Sequence, residues 1–184
     1  MHHAALHRLS IDEYHRLIDA GGLDEDARIE LLGGLLVDMS PKTPQHENAV
    51  AFLADWLRDH IDRSRHQVRV SSPLTIGTSE PEPDLAIITA PSPRGAHPGT
   101  ALLVIEVAHS SLRRDLDEKP ALYAQAGVHE YWVVDLDGNR CVCHADPHDG
   151  YREITVHGAD ASLPGAGVGL PPLIVADVLG AAGL

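Results

Sequence analysis

The chain has 184 residues, the usual size of one domain, and 43% of them are hydrophobic, which excludes an intrinsically disordered protein. The formal charge of −13, from 14 basic and 27 acidic residues, argues against tight non-specific nucleic-acid binding by a monomer but is compatible with a local basic patch. No run approaches the roughly eighteen apolar residues of a membrane span, so no membrane segment is expected.

The first third of the chain predicts a helix, a hairpin and a second helix. Ser10-Ile11-Asp12-Glu13 has the pattern of a capping box, so a short helix should follow and end near Gly21-Gly22. Two apolar runs surround Gly33-Gly34 between residues 28 and 40, which predicts a β-hairpin. From 45 to 63, apolar residues recur at helical spacing and predict the clearest helix of the sequence.

The middle of the chain predicts a sheet. Segments 67–76, 84–89, 101–108 and 130–136 have the composition of strands, and those that are apolar on both faces should be central and covered by helices. A helical region, 113–127, precedes the last of them and ends at a glycine.

The remaining third predicts two more strands, at 140–145 and 151–157, and a short terminal helix at 173–179. No repeat or linker interrupts the sequence, so residues 1–184 are expected to form a single α/β domain.

Two smaller clusters have less specific patterns. Cys141 and Cys143 lie two positions apart, so a strand would place both on one face, and reduced thiols of a cytoplasmic protein fit them better than a disulfide framework. A zinc site built from these cysteines with His144 and His148 is disfavoured, because successive strand residues point to opposite faces. The main basic cluster is either a solvated face or, alternatively, a set of phosphate contacts. It consists of Arg58, Arg63, Arg65 and Arg69, joined by Arg113 and Arg114 near Asp84 and Glu106.

Two acidic residues occupy positions where a carboxylate is costly. Glu106 interrupts the apolar run 102–107, and Asp84 begins an aliphatic strand after Pro81-Glu82-Pro83. Such carboxylates must be paired or must bind a cation. Acids on neighbouring strand ends can hold Mg²⁺, which polarises a phosphoryl oxygen and lowers the pKa of a bound water. Lys119, on the following helical segment, could fold back to position that water.

An ordered series of short motifs runs through the chain. It consists of Pro83-Asp84, Glu106-Val107-Ala108, Asp115 with Lys119, Tyr123-Ala124, Gly127-Val128, Glu130-Tyr131-Trp132 and Asp135, preceded by Glu30, the Gly33-Gly34 hairpin and the segment from Ser40-Pro41 to His46. This series, which covers roughly residues 11 to 151, resembles the Uma family of putative restriction endonucleases, within the PD-(D/E)XK nuclease superfamily.

The resemblance implies a restriction-endonuclease-like core, in which helices flank a central mixed β-sheet. It implies that Asp84 and Glu106 bind Mg²⁺ or Mn²⁺, with the Val107 carbonyl as a third ligand. In many members of the superfamily the lysine follows the glutamate by two positions, where this chain has Ala108. The resemblance therefore makes Lys119, from the next helix, the matching lysine.

Other positions leave their roles open. Glu30 and His46 match family positions near the site, although Glu30 could merely pair with a base and His46 could merely begin a helix. His109 stands where the family usually has a small polar or acidic residue. Pro120 disfavours helical geometry at Lys119, so we expect a kink there or a helix that starts at Pro120, either of which would move the lysine amine.

Two functions of different classes follow from these observations. The first is a metal-dependent endonuclease that hydrolyses nucleic acid, with DNA as the expected substrate and a homodimer expected because cutting both strands of a duplex needs two sites. The second is a nuclease-like binding or interaction module without activity, which the net charge, His109 and Pro120 favour. Convergence of Asp84 and Glu106 with the Lys119 amine would favour the enzyme, whereas a lysine in solvent would favour the module.

Overall fold

The computed structural model describes residues 6–24 and 27–184. The helices are α1 (Ile11–Asp19), α2 (Pro44–His60), α3 (Leu112–Asp117), α4 (Lys119–Gln125) and α5 (Val175–Ala182). The strands are β1 (Ile29–Leu32), β2 (Leu35–Asp38), β3 (His66–Val70), β4 (Leu85–Thr89), β5 (Leu103–Ala108), β6 (Glu130–Asp135), β7 (Arg140–Pro147), β8 (Tyr151–Gly158), β9 (Ser162–Leu163) and β10 (Leu173–Ile174).

A six-stranded sheet forms the centre of the molecule, in the order β3-β4-β5-β6-β7-β8. Only β5 and β6 run parallel, and every other neighbouring pair is antiparallel. The parallel pair needs a crossover connection, which α3 and α4 supply. Two short antiparallel pairs, β1 with β2 and β9 with β10, lie outside this sheet. The predicted mixed sheet flanked by helices is therefore confirmed.

Each face of the sheet packs on its own hydrophobic core. On one face, α2 and α5 cover residues such as Ile105 and Trp132. On the other, Tyr123 of α4 packs with residues such as Val104 and Val133. Successive strand residues point to opposite faces, so β5, buried at all six positions, contributes to both cores, as its continuous apolar sequence predicts.

Several predicted boundaries are confirmed to within two residues, whereas the strand predicted over 67–76 is much shorter than expected. The Ser10 capping box is present, with the Glu13 carboxylate accepting the Ser10 N–H at 2.8 Å, and β1 and β2 form the predicted hairpin. The strand predicted over 67–76 ends at Val70. Ser71 still donates its N–H to the Asp84 carbonyl, in register with the β3–β4 pair, but its left-handed φ of 41° turns the chain out of the sheet after that bond.

The ends of the chain also differ in detail from the prediction. The terminal helix begins at Val175 rather than 173, because residues 173 and 174 pair with β9 before the helix starts. Among the helices of residues 6–24 and 27–184, none has the length and apolarity that crossing a membrane requires.

Acidification should destabilise the fold through His144. This side chain is buried between the rings of Tyr131 and Tyr151, and its Nδ1 lies 3.2 Å from the Tyr131 carbonyl. Burial lowers the pKa of His144 below 6.5, so its contribution to stability is present above that pH and is lost as the pH falls through the folded-state value. Urea unfolding followed by tryptophan fluorescence should show a lower midpoint at about pH 5.5 than at about pH 7.5.

The matched variant His144→Gln cannot titrate in this range, so its midpoint should depend less on pH than that of the wild type. An identical pH dependence of the two proteins would show that His144 is not the titrating group.

Candidate active site at the Asp84 end of the sheet

The register between β4 and β5 brings Asp84 and Glu106 together. Leu85 pairs with Ile105, so Asp84, one residue before β4, lies across from Glu106. The Asp84 N–H donates to Glu106 Oε2 at 3.3 Å, and the Val107 N–H donates to Asp84 Oδ2 at 2.8 Å. In a strand the N–H and C=O of one residue point the same way, so the Val107 carbonyl also lies on the Asp84 side of β5.

Lys119 reaches these carboxylates in spite of the helix break. The break falls at Glu118, and α4 starts at Lys119. One of the two expected arrangements had the helix start one residue later, at Pro120. A proline in the first turn costs little, because its missing N–H would have no partner inside the helix. Lys119 Nζ lies 2.9 Å from Glu106 Oε1, so the break directs the amine into the site instead of away from it.

Two further carboxylates surround the same amine. Glu30 Oε2 lies 3.5 Å and Asp115 Oδ1 lies 3.6 Å from Lys119 Nζ, and all four side chains are buried, with Lys119 only 6% exposed. Three carboxylates therefore face one ammonium in a site largely closed to water. Such an excess of negative charge is costly unless a proton or another cation compensates it.

The pKa values of the cluster reflect this crowding. Burial raises the pKa of Glu106 to about 8, and Lys119 opposes the rise. Burial also raises the pKa of Asp115. For Lys119, burial acts to lower the pKa, but the carboxylates around it, Glu106 foremost, raise it overall above its ordinary value. The lysine is thus held in its charged form, and burial favours the protonated form of Glu106.

His46 contacts the other acid of the pair. The Thr43 side chain caps α2 and accepts the His46 N–H at 3.3 Å, which fixes the histidine in the first turn. His46 Nε2 lies 3.0 Å from both carboxylate oxygens of Asp84. Since the carboxylate accepts, Nε2 carries the donated proton, and the buried Nδ1 has no partner among the described residues. His46 thereby orients Asp84.

The β1–β2 hairpin closes the site from the side through Glu30. Glu30 Oε2 accepts the Glu82 N–H at 3.4 Å, and Glu30 Oε1 lies 3.7 Å from Arg114 Nη1. Arg114 also donates to the Asp38 carbonyl at 2.9 Å, which links α3 to β2. Glu30 does pair with bases, but one of those bases is Lys119, so this pairing is part of the site.

Sequence reasoning did not assign two residues to the site. Asp115 and Tyr123 were both members of the motif series, but neither was assigned a role. Tyr123 is fully buried and also donates its hydroxyl to Glu106 Oε1 at 3.1 Å. Their spacing could have predicted this, because Asp115, Lys119 and Tyr123 recur at intervals of four residues and would share one face of a helix.

The remaining candidates contact other groups. His109 lines the same cleft as Asp84 and Glu106, but it pairs with Asp137 at 3.2 Å. Cys141 and Cys143 lie on one face, with their sulfurs 3.8 Å apart, and His144 lies on the other. Within residues 6–24 and 27–184, no three His, Cys, Asp or Glu side chains are arranged to hold a metal ion.

The donor set nevertheless fits a cation that keeps part of its water shell. Mg²⁺ commonly binds through one or two carboxylates and retains several waters. Asp84 and Glu106 supply two carboxylates, the Val107 carbonyl lies beside them, and the cluster has an excess of negative charge that a divalent cation would offset.

Comparison with known proteins identifies the family. A family model described as "Uma2: Putative restriction endonuclease" matches residues 11–171. The chain belongs to the Uma2 family. No curated protein matches this Uma2 chain at a significant level.

Solved structures show the fold of this Uma2 protein. A putative nuclease belonging to DUF820 from Anabaena variabilis ATCC 29413 superposes with a TM-score of 0.78 and 14% identity, over 95% of this chain and 99% of that one. The type IIG restriction endonuclease BpuSI matches with a TM-score of 0.44 and 15% identity, over 79% of this chain and 17% of its own. The first of these confirms the predicted restriction-endonuclease-like fold.

Removing the buried ammonium should destabilise the protein. Lys119→Met leaves Glu30, Glu106 and Asp115 without their shared partner, and we expect a loss of about 3–5 kcal/mol in the free energy of unfolding. Urea unfolding at neutral pH measures it.

Lys42→Met is the matched control, because Lys42 is exposed and its amine donates a single hydrogen bond within the described residues, to the Ser71 hydroxyl. Its effect should stay within about 0.5 kcal/mol. Equal effects of the two substitutions would contradict the electrostatic role assigned to Lys119.

Proposed function

We propose that this Uma2 protein is a metal-dependent endonuclease that hydrolyses phosphodiester bonds of nucleic acid, with DNA as its substrate. The observation that supports this most is that Glu106 accepts the Lys119 amine at 2.9 Å and the Asp84 main-chain N–H at 3.3 Å, so the three residues meet at one end of the sheet. The family description points to the same reaction class.

Asp84, Glu106 and the Val107 carbonyl would hold Mg²⁺ or Mn²⁺. When bound, such an ion supplies a Lewis acid for the phosphoryl oxygen and acidifies a water molecule. The chain's own groups prepare this site. His46 holds the Asp84 carboxylate in place, and the β5 backbone fixes it from the other side through the Val107 N–H.

Lys119 acts as a charged hydrogen-bond donor in this proposal. Because the surrounding carboxylates raise its pKa, it does not serve as a general base. Its ammonium orients the attacking water or neutralises the negative charge that develops on the phosphate. Glu30 and Asp115 position the amine, and Tyr123 holds the Glu106 oxygen that faces it.

The geometry favours an enzyme over an inactive binding module. A module would tolerate a lysine displaced to solvent by Pro120, but Lys119 is buried among the acids. Basic side chains also line the cleft, where Arg28 and Arg114 stand beside the acidic cluster. They could contact the phosphates that flank the scissile bond although the chain as a whole is acidic.

Loss of either acidic ligand should abolish cleavage. We expect Asp84→Asn and Glu106→Gln to reduce Mg²⁺- or Mn²⁺-dependent cutting of plasmid and single-stranded DNA by at least about a hundredfold, because each removes a charge that holds the metal. Initial rates on gels measure this.

Asp55→Asn, at an exposed carboxylate on α2, is the control and should cut like the wild type. Cutting that survives both ligand substitutions would place the site elsewhere. A folded wild type that cuts nothing with any metal would favour the binding module.

Metal affinity should increase with pH. A proton on Glu106 competes with the cation, and burial raises the pKa of that carboxyl to about 8. Titration calorimetry with Mn²⁺ should therefore give tighter binding at about pH 8.5 than at about pH 6.5. Glu106→Gln, which cannot titrate, should bind weakly with little pH dependence, and equal pH dependence in both proteins would argue against this competition.

A further inference from the structure

The strand β8 forms an open edge of the central sheet. It pairs with β7 along Tyr151–Gly158, and no strand within residues 6–24 and 27–184 pairs with its other side. Natural edges are usually protected by charged side chains, proline, a short strand or a covering element. This strand has eight residues and no proline, its two charged residues, Arg152 and Glu153, lie near its start, and its five positions from 152 to 156 are all exposed. Its backbone is thus available to another strand.

One face of this edge is aliphatic. Ile154 and Val156 are 59% and 61% exposed, and they lie opposite His144 and Val142 of β7, which are buried. Directly opposed residues share a face of the sheet, so the apolar surface beneath α4 continues outward to the edge and remains uncovered there.

We propose that β8 pairs antiparallel with β8 of a second copy, around a two-fold axis through Thr155. In an antiparallel pair, directly opposed side chains lie on the same face of the sheet. A two-fold axis normal to the sheet can therefore lie only where one residue faces its own copy in the partner. Centring on Thr155 places Ile154 against the partner's Val156 and Glu153 against the partner's His157. Each of these contacts occurs twice in the dimer.

Other centres match the side chains less well. An axis at Arg152 or Glu153 opposes like charges. An axis at Ile154 places Glu153 against the partner's Thr155 and Arg152 against the partner's Val156. An axis at Val156 places Ile154 against the partner's Gly158, and an axis beyond it leaves Ile154 without an opposing residue in the strand. The Thr155 register alone pairs aliphatic with aliphatic and acid with histidine, and both kinds of pair stabilise neighbouring strands.

Local charge permits this contact although the chain is acidic. The chain carries −13, but β8 has one arginine and one glutamate, so two such strands meet without net repulsion. A second copy therefore meets no local charge barrier at this edge, and its own strand supplies the matching aliphatic and acid–histidine pairs.

The register also determines where the two active sites lie. Across the sheet, Glu106 is aligned with Val133, then with Val142 and then with Val156. Val156 is one residue away from the axis at Thr155. Both sites then open on the same face, separated by seven strand spacings, or about 34 Å. That distance is about one turn of B-form DNA. The comparison of this distance with a turn of DNA rests on the proposed nuclease function, whereas the proposed dimer does not.

The dimer is tested by mass in solution, without metal or DNA, so that its failure is distinct from a failure of the nuclease proposal. Light scattering after size exclusion should give a dimer for the wild type and a monomer for Ile154→Lys/Val156→Lys, which sets lysines against one another. Leu35→Lys/Leu36→Lys, at two exposed aliphatic positions of β2, is the matched control and should stay dimeric. A monomeric wild type, or a dimeric β8 variant, would overturn the proposal.

Oxidative cross-linking tests the register. Thr155→Cys should give a disulfide-linked dimer on a non-reducing gel, because the two positions face each other across the axis. Glu153→Cys should not, since the register separates its two copies by four residues along the strands. Both cysteine variants are made in a Cys143→Ala background, because Cys143 lies directly opposite Thr155 in the β7–β8 register and would otherwise compete through an internal disulfide, whereas Cys141 is buried. Cross-linking at 153, or none at 155, would overturn this register.

Discussion

One buried ammonium connects the parts of this molecule that form its site. Lys119 lies at the start of α4, and its amine contacts Glu30 of β1, Glu106 of β5 and Asp115 of α3. The hairpin, the sheet and both crossover helices thus converge on a single positive charge. Removing such a charge from a desolvated site leaves its partners uncompensated, so the fold and the site depend on the same residue.

The same arrangement leaves the site short of positive charge. Three acids face Lys119, and Asp84 adds a fourth carboxylate nearby, held between His46 and the Val107 N–H. A structure selected for stability alone would not gather acids in this way, because apolar packing of the same volume is often as stable. The electrostatic imbalance is instead compatible with the cation site proposed for these residues. Geometry and charge therefore support the reaction class that the Uma2 family description names.

The sheet links this site to the open edge of the molecule. Cross-strand register runs without interruption from Glu106 to Val156, so pairing at the edge would set the position of one site relative to another. The helices cover the centre of the sheet, and α4 reaches as far as β8, but Ile154 and Val156 of that strand remain exposed. A second copy would thereby complete both the hydrophobic face and the backbone hydrogen bonding of that strand.

The sequence by itself determined the local elements and the two acids. The Ser10 capping box, the Gly33-Gly34 hairpin and the aliphatic strands depend on interactions between near neighbours, which local sequence encodes. Asp84 and Glu106 were found because a carboxylate in an apolar strand needs a compensating partner.

Only the tertiary structure decided how the distant groups meet. Glu30 contacts the Lys119 amine although the two residues lie far apart in the sequence. Tyr123 contacts Glu106 although its sequence context predicts packing alone. Strand β3 ends early because Ser71 adopts a left-handed φ, and β8 is an edge because no described strand pairs with its other side. These features depend on strand order and register, which arise from contacts between residues far apart in the chain and therefore leave no local pattern in the sequence.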